Sequence, residues 1–362
     1  MLTKFSTVQF CQNLLKNAVE QRVSDLHIEP QSEVWRIRWR IDGILYLADT
    51  LSKTQADGLI NHLKILAQMD IAETRLPQDG QFSFYLNNTL VKECRVSSCP
   101  SIYGEKLVIR LLENNQDLVS LDELGFSHEA LMSFRNSLKK PQGLILVTGP
   151  TGSGKTLTLY HALSLLNKAT HNIISIEDPV EIKVPGITQV NINRKIGFDF
   201  AHALRSFLRQ DPDIIMLGEI RDSETAEMVI KAAQTGHLVL SSLHTNNAIS
   251  SITRLANLGI SHYNIADTLK LVIAQRLLRK LCLLCQGNTC AHCKEGYQGR
   301  IGVFEVLNIN QKMVNAISQH VDQDQLLALA EDQGFENLQQ AAHYKLQQGI
   351  TNLAEIQRII YA

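Results

Sequence analysis

The first third of the chain alternates between helical and strand-like patterns of apolar residues. The segment TVQFCQNLLKNAVEQR repeats apolar residues at helical spacing, which predicts an amphipathic helix. In EVWRIRWRIDG, Trp and Ile alternate strictly with charged residues before an Asp-Gly pair, which predicts a half-buried strand and a turn. Strand patterns at QFSFYL, LVKECRVSS and EKLVIRLLE, with a helical pattern around GLINHLKILAQMD, predict a small α+β domain over residues 1–115. The polar stretch ENNQDL, residues 113–118, is the predicted linker.

The pattern changes in the second part of the chain, residues 116–362. Four short apolar runs, GLILVTG, NIISIED, DIIMLGE and HLVLSSLHT, are separated by helical stretches. Short runs that are apolar throughout are typical of parallel strands covered by helices on both faces, so this part predicts an α/β domain. Ligands of such sheets bind beyond the carboxyl ends of the strands. The polar residues that end each run are therefore the first candidates for chemistry.

Composition narrows the class of protein. The chain has 362 residues, of which 44% are hydrophobic and 20% charged, as expected for a globular protein of two domains. A formal charge of −1 provides no field that would attract nucleic acid, so we expect no direct nucleic-acid partner. No apolar run reaches the length that crosses a bilayer, and the first residues do not form a signal sequence, which predicts a cytoplasmic protein.

A phosphate-binding motif follows the first apolar run of the second domain. Its string GPTGSGKT fits G-x-x-x-x-G-K-[ST] between a predicted strand and a predicted helix. Backbone N–H groups of such a loop surround phosphate oxygens, its lysine reaches the outer phosphates and its Thr hydroxyl binds Mg²⁺. The alternative is a glycine-rich turn without a ligand. The predicted nucleotide-binding residues are Gly149, Pro150, Thr151, Gly152, Ser153, Gly154, Lys155 and Thr156, with Thr156 also the magnesium ligand.

Carboxylates end two of the other apolar runs, where hydrolysis of a nucleotide would need them. Glu177, Asp178 and Glu181 follow NIISI, and Glu219 ends DIIMLGE. An acid in this place can hold the metal or polarise water, and Glu219 is the preferred candidate for that function. Acids at strand ends can also cap the following turn, an alternative that applies mainly to Asp178 and Glu181.

Two histidines flank the fourth run, His237 before it and His244 after it. A lone histidine is often a structural residue, and this alternative stays open for His237. His244 is followed by Thr245 and Asn246, so three polar side chains end the strand. We therefore predict that His244 senses the terminal phosphate of a nucleotide.

A cluster of cysteines lies in LCLLCQGNTCAHCKEGYQGR, residues 281–300. Four of the seven cysteines of the chain fall within twelve positions as two C-x-x-C pairs. The spacing fits a metal site, two disulfides or an iron–sulfur cluster, and a reducing compartment favours metal. The candidate ligands are Cys282, Cys285, Cys290 and Cys293.

Several strings, taken in order, resemble the hexameric secretion ATPases of type II secretion and type IV pilus assembly. They include SDLHIEP, RIRWRIDG, RLPQDG, GPTGSGKTLTLY, IISIEDPVE, LRQDPDIIMLGEIRD, TGHLVLSSLHTN, AQRLLRKLC and GRIGVFEVL. The resemblance implies a PAS-like α+β domain at 1–115, a RecA-like P-loop ATPase domain at 116–362, and a homo-hexamer. It also implies ATP and Mg²⁺ as cofactors, bound between the two domains.

The resemblance also implies roles for particular residues. Catalytic roles fall to Lys155, to Glu177 in an acidic motif, to Glu219 and to His244, and arginines complete the site. Arg95 and Arg110 are the chosen arginines, whereas Arg36 is interpreted as part of a solvated strand face. Assembly-type relatives carry two cysteine pairs in this position that hold a structural zinc, and retraction-type relatives generally lack them. Here only four residues separate the pairs, so free thiols are the alternative to zinc.

The implied function is a cytoplasmic, membrane-peripheral motor. It would hydrolyse ATP to drive assembly of a type IV pilus or a type II secretion pseudopilus through an inner-membrane platform protein, with a membrane-associated adaptor as a further partner. The alternatives are a scaffold or regulatory ring component that binds ATP and hydrolyses it weakly, and a motor for retraction or DNA uptake. The chain begins close to the helix before SDLHIEP, so we expect no additional N-terminal domain for recruitment.

Overall fold

The computed structural model describes residues 6–86, 89–112 and 120–361. The chain divides into two compact units, Met1–Asp117 and Leu118–Ala362. The predicted linker at 113–118 and the predicted domain boundary lie outside the described residues. No helix within the described ranges is long and apolar enough to cross a membrane.

The first unit is a six-stranded antiparallel sheet with two helices. Its strands lie in the order β3-β2-β1-β6-β5-β4. Apolar residues of both helices and of the sheet share one core, and Ser6 and Ser52 cap the two helices at their N-termini. The elements are α1 (Thr7–Glu20), β1 (Asp25–Pro30), β2 (Trp35–Ile41), β3 (Ile44–Leu51), α2 (Lys53–Leu66), β4 (Gln78–Leu86), β5 (Thr89–Ser101) and β6 (Gly104–Leu111).

The second unit has a seven-stranded sheet in the order β13-β12-β7-β11-β10-β8-β9. All neighbours pair in parallel except β12 and β13, which form an antiparallel hairpin. The strands are β7 (Gly143–Thr148), β8 (Ile173–Glu177), β9 (Thr188–Asn191), β10 (Ile214–Leu217), β11 (Leu238–Leu243), β12 (Leu269–Leu281) and β13 (Tyr297–Asn308).

Helices cover both faces of this sheet and bury two separate apolar clusters. The four apolar runs of the sequence are β7, β8, β10 and β11, and every residue of these strands is buried, which confirms the predicted α/β arrangement. The helices are α3 (His128–Leu138), α4 (Lys155–Leu166), α5 (Phe200–Phe207), α6 (Ser223–Gln234), α7 (Ile249–Asn257), α8 (His262–Thr268), α9 (Gln311–Ser318), α10 (Gln323–Glu331), α11 (Leu338–Gln347) and α12 (Leu353–Ile360).

Candidate nucleotide site and cysteine cluster

The order of the parallel strands determines which predicted residues share an edge of the sheet. The strands β7, β11, β10 and β8 are consecutive neighbours, so the phosphate loop, His244, Glu219 and Glu177 follow strands that end at the same edge. His237 precedes β11 and lies at the opposite edge, where its Nδ1 is 2.9 Å from the carbonyl oxygen of Ala232. The two histidines that flank the fourth apolar run thus lie at opposite edges of the sheet.

The phosphate loop contains glycines at positions where any other residue would be strained. Gly149 has a φ of 144°, and a Cβ there would lie 2.5 Å from the carbonyl oxygen of Gln275. Gly154 has a φ of 88° just before α4, and a Cβ there would lie 2.8 Å from Nε2 of Gln275. The backbone of β12 therefore leaves no room for a side chain at Gly149, whereas at Gly154 the left-handed φ favours glycine.

Lys155 lies at the first position of α4, with its ammonium turned back onto the loop. Nζ donates hydrogen bonds to the carbonyl oxygens of Gly149 at 2.8 Å and Pro150 at 3.0 Å. Burial lowers the pKa of the Lys155 ammonium, the nearby Glu219 opposes this effect and Arg276 adds to it. Among the described residues the buried hydroxyl of Ser153 has no hydrogen-bond partner. Such an orphaned donor, two positions before Lys155 in the same loop, fits a loop that surrounds an anion.

Glu219 lies just beyond β10 between two basic side chains. Its carboxylate pairs with Arg221, and its second oxygen lies 3.4 Å from Nε2 of His244. Burial favours the neutral acid, but the hydrogen bonds and charges of Arg221 and His244 outweigh it and lower the pKa of Glu219. The residue is therefore an anion at neutral pH. The structure thus brings Glu219 and His244 together, and Lys155 is close enough to Glu219 for their charges to interact.

Glu177 ends β8, three strand spacings or about 14 Å from β7. It is 3% exposed, and one oxygen accepts a hydrogen bond from Tyr160 while the other accepts from Ser175 at 2.6 Å and Gln189 at 3.4 Å. Burial raises its pKa, although these donors counteract the effect. Its surroundings are those of a buried structural carboxylate, and its catalytic role stays a prediction.

The acids that follow Glu177 have different surroundings. Asp178 pairs with Arg194 at 3.2 Å, and the exposed Glu181 places its backbone N–H 3.2 Å from the hydroxyl of Tyr160. Neither contact involves the phosphate loop. The loop that contains them is thus attached to α4 by Tyr160, a residue that sequence reasoning did not single out.

Two more residues beside the phosphate loop were also missed. Gln275 is 2% exposed and accepts a hydrogen bond from Thr158 of α4 at 2.8 Å. Arg276 donates through Nη2 to the carbonyl oxygen of Asn246 at 2.8 Å. The string AQRLLRKLC contains both residues, and the only signal it offered was a polar Gln-Arg pair directly after the apolar residues 271–274.

The four cysteines lie together at the tip of the β12–β13 hairpin. All four sulfurs are within 4.8 Å of one another, with separations of 3.8 Å for Cys282 and Cys290, 3.6 Å for Cys285 and Cys293, and 3.5 Å for Cys290 and Cys293. Tetrahedral zinc with Zn–S bonds of about 2.3 Å requires sulfurs about 3.8 Å apart. The donor set therefore fits zinc, and we call residues 282–293 the cysteine knuckle.

The short spacer between the cysteine pairs turns the chain sharply. Gln286 and Gly287 both have positive φ, 50° and 91°. The backbone of Gly287 passes so close to Gly296 that a Cβ on Gly296 would lie 2.1 Å from the Gly287 carbonyl oxygen. Four residues suffice because left-handed backbone at two of them reverses the chain.

The predicted arginines belong to the first unit, where carboxylates organise one face of the sheet. Arg110 pairs with Asp25 at 2.9 Å, and Arg95 is the cross-strand neighbour of Arg110. Arg36 lies 3.6 Å from the buried Glu29, so it is not simply a solvated residue. The sheet register thus places Arg95 and Arg110 side by side, and their catalytic role stays a prediction.

Comparison with known proteins agrees with this arrangement. The chain matches the family described as Type II/IV secretion system protein over residues 3–358. It is 45% identical over 381 residues to the type IV pilus assembly ATPase PilB of Acinetobacter baylyi, covering 97% of this chain and 66% of that protein. It is 40% identical over 361 residues to the type II secretion system protein HxcR of Pseudomonas aeruginosa, covering 97% of this chain and 77% of that protein.

Solved structures show a similar fold. The crystal structure of the pilus retraction motor PilT with bound ADP has a TM-score of 0.67 at 27% identity, and the match covers 96% of each chain. The Legionella pneumophila ATPase DotB has a TM-score of 0.77 at 22% identity over 99% of this chain and 96% of that chain, which shows the fold alone. These matches confirm the predicted family and the RecA-like α/β fold. The chain therefore belongs to the type II/IV secretion system protein family.

Proposed function

We propose that the chain is an ATPase motor that drives assembly of a type IV pilus or a type II secretion pseudopilus. The observation that supports it best is the convergence of Lys155, Glu219 and His244 beside a phosphate loop at one edge of the sheet. The related pilus and secretion proteins support the same class of function. Because the chain spans only 66% of the length of the Acinetobacter baylyi relative, the complete activity, the cargo and the partners are part of the proposal.

The chain's own residues indicate how hydrolysis would proceed. Lys155 would exchange its two bonds to loop carbonyls for phosphate oxygens, which would restore the pKa that burial lowers. Thr156 and Glu219 would hold Mg²⁺ through oxygen atoms, and the bound ion would supply positive charge beside the transferring phosphate. His244 would donate to the terminal phosphate from its position beside Glu219. Glu219, already ionised, would orient the attacking water.

The proposed assembly is a homo-hexamer in which arginines complete each nucleotide site. Arg95 and Arg110 are our candidates because they neighbour each other on one sheet face. An arginine supplied to a phosphoryl-transfer site contributes about 10³ to 10⁵ in rate. Because hydrolysis would then depend on where the arginine lies, it would be coupled to domain movement. The proposed location is the cytoplasmic face of the inner membrane, where a platform protein and a membrane-associated adaptor would contact the ring.

Assembly is preferred to retraction because the cysteine knuckle has the donor set of a closed structural zinc site. Assembly-type members of the family carry such pairs. The relatives at 40% and 45% identity have names from pilus assembly and type II secretion. Fibre loss in a deletion strain, restored by the parent gene and not by Lys155→Ala, would support assembly. Fibres that persist in the deletion strain would exclude it.

The first experiment measures ATP turnover of the purified protein across a size-exclusion profile with light scattering. Lys155→Ala should abolish turnover, because the phosphate loop loses its only lysine. Lys168→Ala is the matched control, since Lys168 is exposed just beyond the same helix. Turnover confined to a hexamer-sized peak supports the motor. If the parent binds ATP but hydrolyses it no faster than Lys155→Ala does, the result would instead support a scaffold or regulatory ring component.

A further inference from the structure

The β12–β13 hairpin contacts two loops of the candidate nucleotide site, the phosphate loop and the loop at 244–248. The sequence had connected this hairpin only with the cysteines. In the middle of β12, the side chain of Gln275 accepts a hydrogen bond from Thr158 and its amide nitrogen lies against Gly154. The Gln275 carbonyl lies against Gly149 at the other end of the phosphate loop. One buried residue of β12 thus contacts both ends of that loop.

Arg276 extends these contacts to the loop that follows His244. Its Nη2 donates to the carbonyl oxygen of Asn246 at 2.8 Å, and its Nη1 donates to the carbonyl oxygen of Gln275 at 3.0 Å. The guanidinium is half-buried, and Nη1 would lie 3.3 Å from a Cβ placed on Gly149. A charged donor in a partly desolvated place makes hydrogen bonds about twice as strong as neutral ones. Arg276 therefore fastens the His244 loop beside the phosphate loop.

Glu305 fastens the same loop from β13. Its side chain is 4% exposed, and its two oxygens accept hydrogen bonds from the backbone N–H groups of Ala248 at 2.7 Å and Leu338 at 3.2 Å. Thr148, the last residue of β7, accepts a hydrogen bond from the N–H of Thr245 at 3.0 Å. The loop at 244–248 is thus attached to three different strands within five residues.

We propose that Arg276 and Glu305 are positioning residues that hold His244 at the distance from the terminal phosphate that hydrolysis requires. This inference rests on the proposed ATPase function and assigns a role to the hairpin that carries the cysteines. The reason is geometric, because a catalytic group misplaced by about 1 Å can cost about 10²-fold in rate. His244 is half exposed and contacts Glu219 at 3.4 Å, so its loop must be held by other residues.

The test compares Arg276→Ala and Arg276→Lys with the control Arg300→Ala, which removes an exposed arginine from the same hairpin. In Arg276→Ala we expect kcat for ATP to fall about 10²-fold while KM and the affinity for a fluorescent ADP analogue stay within threefold. Lysine can still donate to the Asn246 carbonyl, so Arg276→Lys should recover part of kcat. Arg300→Ala should resemble the parent.

Hydrogen exchange provides a readout that does not depend on turnover. In Arg276→Ala the amides of residues 244–248 should exchange about tenfold faster, the factor expected from losing one charge-assisted hydrogen bond, while the amides of α2 are unchanged. Glu305→Gln, which leaves one of two backbone N–H groups without an acceptor, should show the same pattern and tests the idea if Arg276→Ala does not fold.

Three outcomes would overturn the inference. The first is unchanged hydrogen exchange at residues 244–248, and the second is an unchanged kcat in Arg276→Ala when the parent is active. The third is a loss of affinity for the ADP analogue that matches the loss of kcat. This third outcome would make Arg276 a phosphate ligand instead. A parent protein that hydrolyses no ATP would refute the proposed function, and faster exchange in both variants would still support the positioning of the loop.

Discussion

Replacing Tyr160 by Phe tests how the loop after Glu177 is attached to α4. Tyr160 is fully buried in α4, and its hydroxyl donates to Glu177. The same hydroxyl accepts hydrogen bonds from the backbone N–H groups of Glu181 at 3.2 Å and Ile182 at 3.3 Å. Phenylalanine keeps the ring and its packing, so the substitution removes only these three hydrogen bonds.

The expected cost follows from the groups left without partners. A buried polar group without a partner costs about 1–3 kcal/mol, and the oxygen of Glu177 and the N–H of Ile182 are both buried. The N–H of Glu181 is only partly buried and can reach water. We therefore expect a loss of about 2–6 kcal/mol in the free energy of unfolding. At about 2–4 °C per kcal/mol, the melting temperature should fall by about 4–24 °C.

The loss should also depend on pH. Burial raises the pKa of Glu177 in the folded protein, and the hydrogen bond from Tyr160 counteracts this effect. Phenylalanine removes that bond, so the folded-state pKa rises further. A raised pKa stabilises the fold below the ordinary pKa of the carboxyl, and this stability is lost as the pH increases through the raised value. The difference in melting temperature between Tyr160→Phe and the parent should therefore be smaller at pH 5 than at pH 8.

Thermal unfolding at both pH values provides the measurement. Tyr263→Phe is the matched control, because Tyr263 is 71% exposed in the same unit and should melt with the parent. A Tyr160→Phe protein that melts within about 1 °C of the parent at both pH values would show that the hydroxyl is not needed, and the structural reading of Glu177 would be wrong.

Two further predictions concern Glu219 and the cysteine knuckle. Removing Arg221 should raise the depressed pKa of Glu219. The acid limb of the pH profile of kcat/KM should therefore move to higher pH in Arg221→Ala and stay in place in Arg221→Lys. A limb that moves in neither variant would contradict the proposed role of Glu219 in orienting the attacking water. Elemental analysis of the purified protein should find one zinc per chain. Cys290→Ser should lose most of this zinc, whereas Cys99→Ser, at an exposed cysteine outside the cluster, should lose none. Equal zinc contents in the two variants would refute the site.

The sequence predicted best those features that depend on residues close together along the chain. The four apolar runs became buried parallel strands because a strand covered on both faces has few polar positions. The phosphate loop and the cysteine cluster are equally local, since each needs only a short run of fixed spacing. The turn between the cysteine pairs needed only left-handed backbone at Gln286 and Gly287.

Features that depend on strand register could not be predicted. Asp25 and Arg110 pair although 85 positions separate them, so no local pattern could show which arginine of the first unit has a carboxylate partner. The hairpin strand β12 was missed because Gln275 and Arg279 interrupt its apolar run, yet both are buried. Their polar groups are satisfied by distant partners, Thr158 for Gln275 and Glu355 for Arg279, and sequence alone does not reveal such partners.

Strand β12 (Leu269–Leu281) runs from beside the phosphate loop to the cysteine knuckle, and the contacts along it predict that the two sites respond separately. Cys282 follows Arg276 by six residues, about 20 Å along an extended strand. Between them Arg279 is buried and pairs with Glu355 of α12 at 2.9 Å, and its guanidinium stacks on the ring of Tyr297 at 3.9 Å. Breaking a buried pair of this kind costs about 3–5 kcal/mol. We therefore expect that loss of zinc loosens the backbone at the tip of the hairpin. This loosening should not extend past Arg279.

This arrangement makes a specific prediction about Cys290→Ser. Amides of the knuckle should lose protection from hydrogen exchange, whereas the amides on both sides of Arg276 and the basal ATP turnover should match the parent. Glu355→Gln in the Cys290→Ser background weakens the buried pair, so the loss of protection should then extend to residues 275–276 and turnover should fall. Turnover that falls in Cys290→Ser alone would show that Arg279 does not separate the two sites.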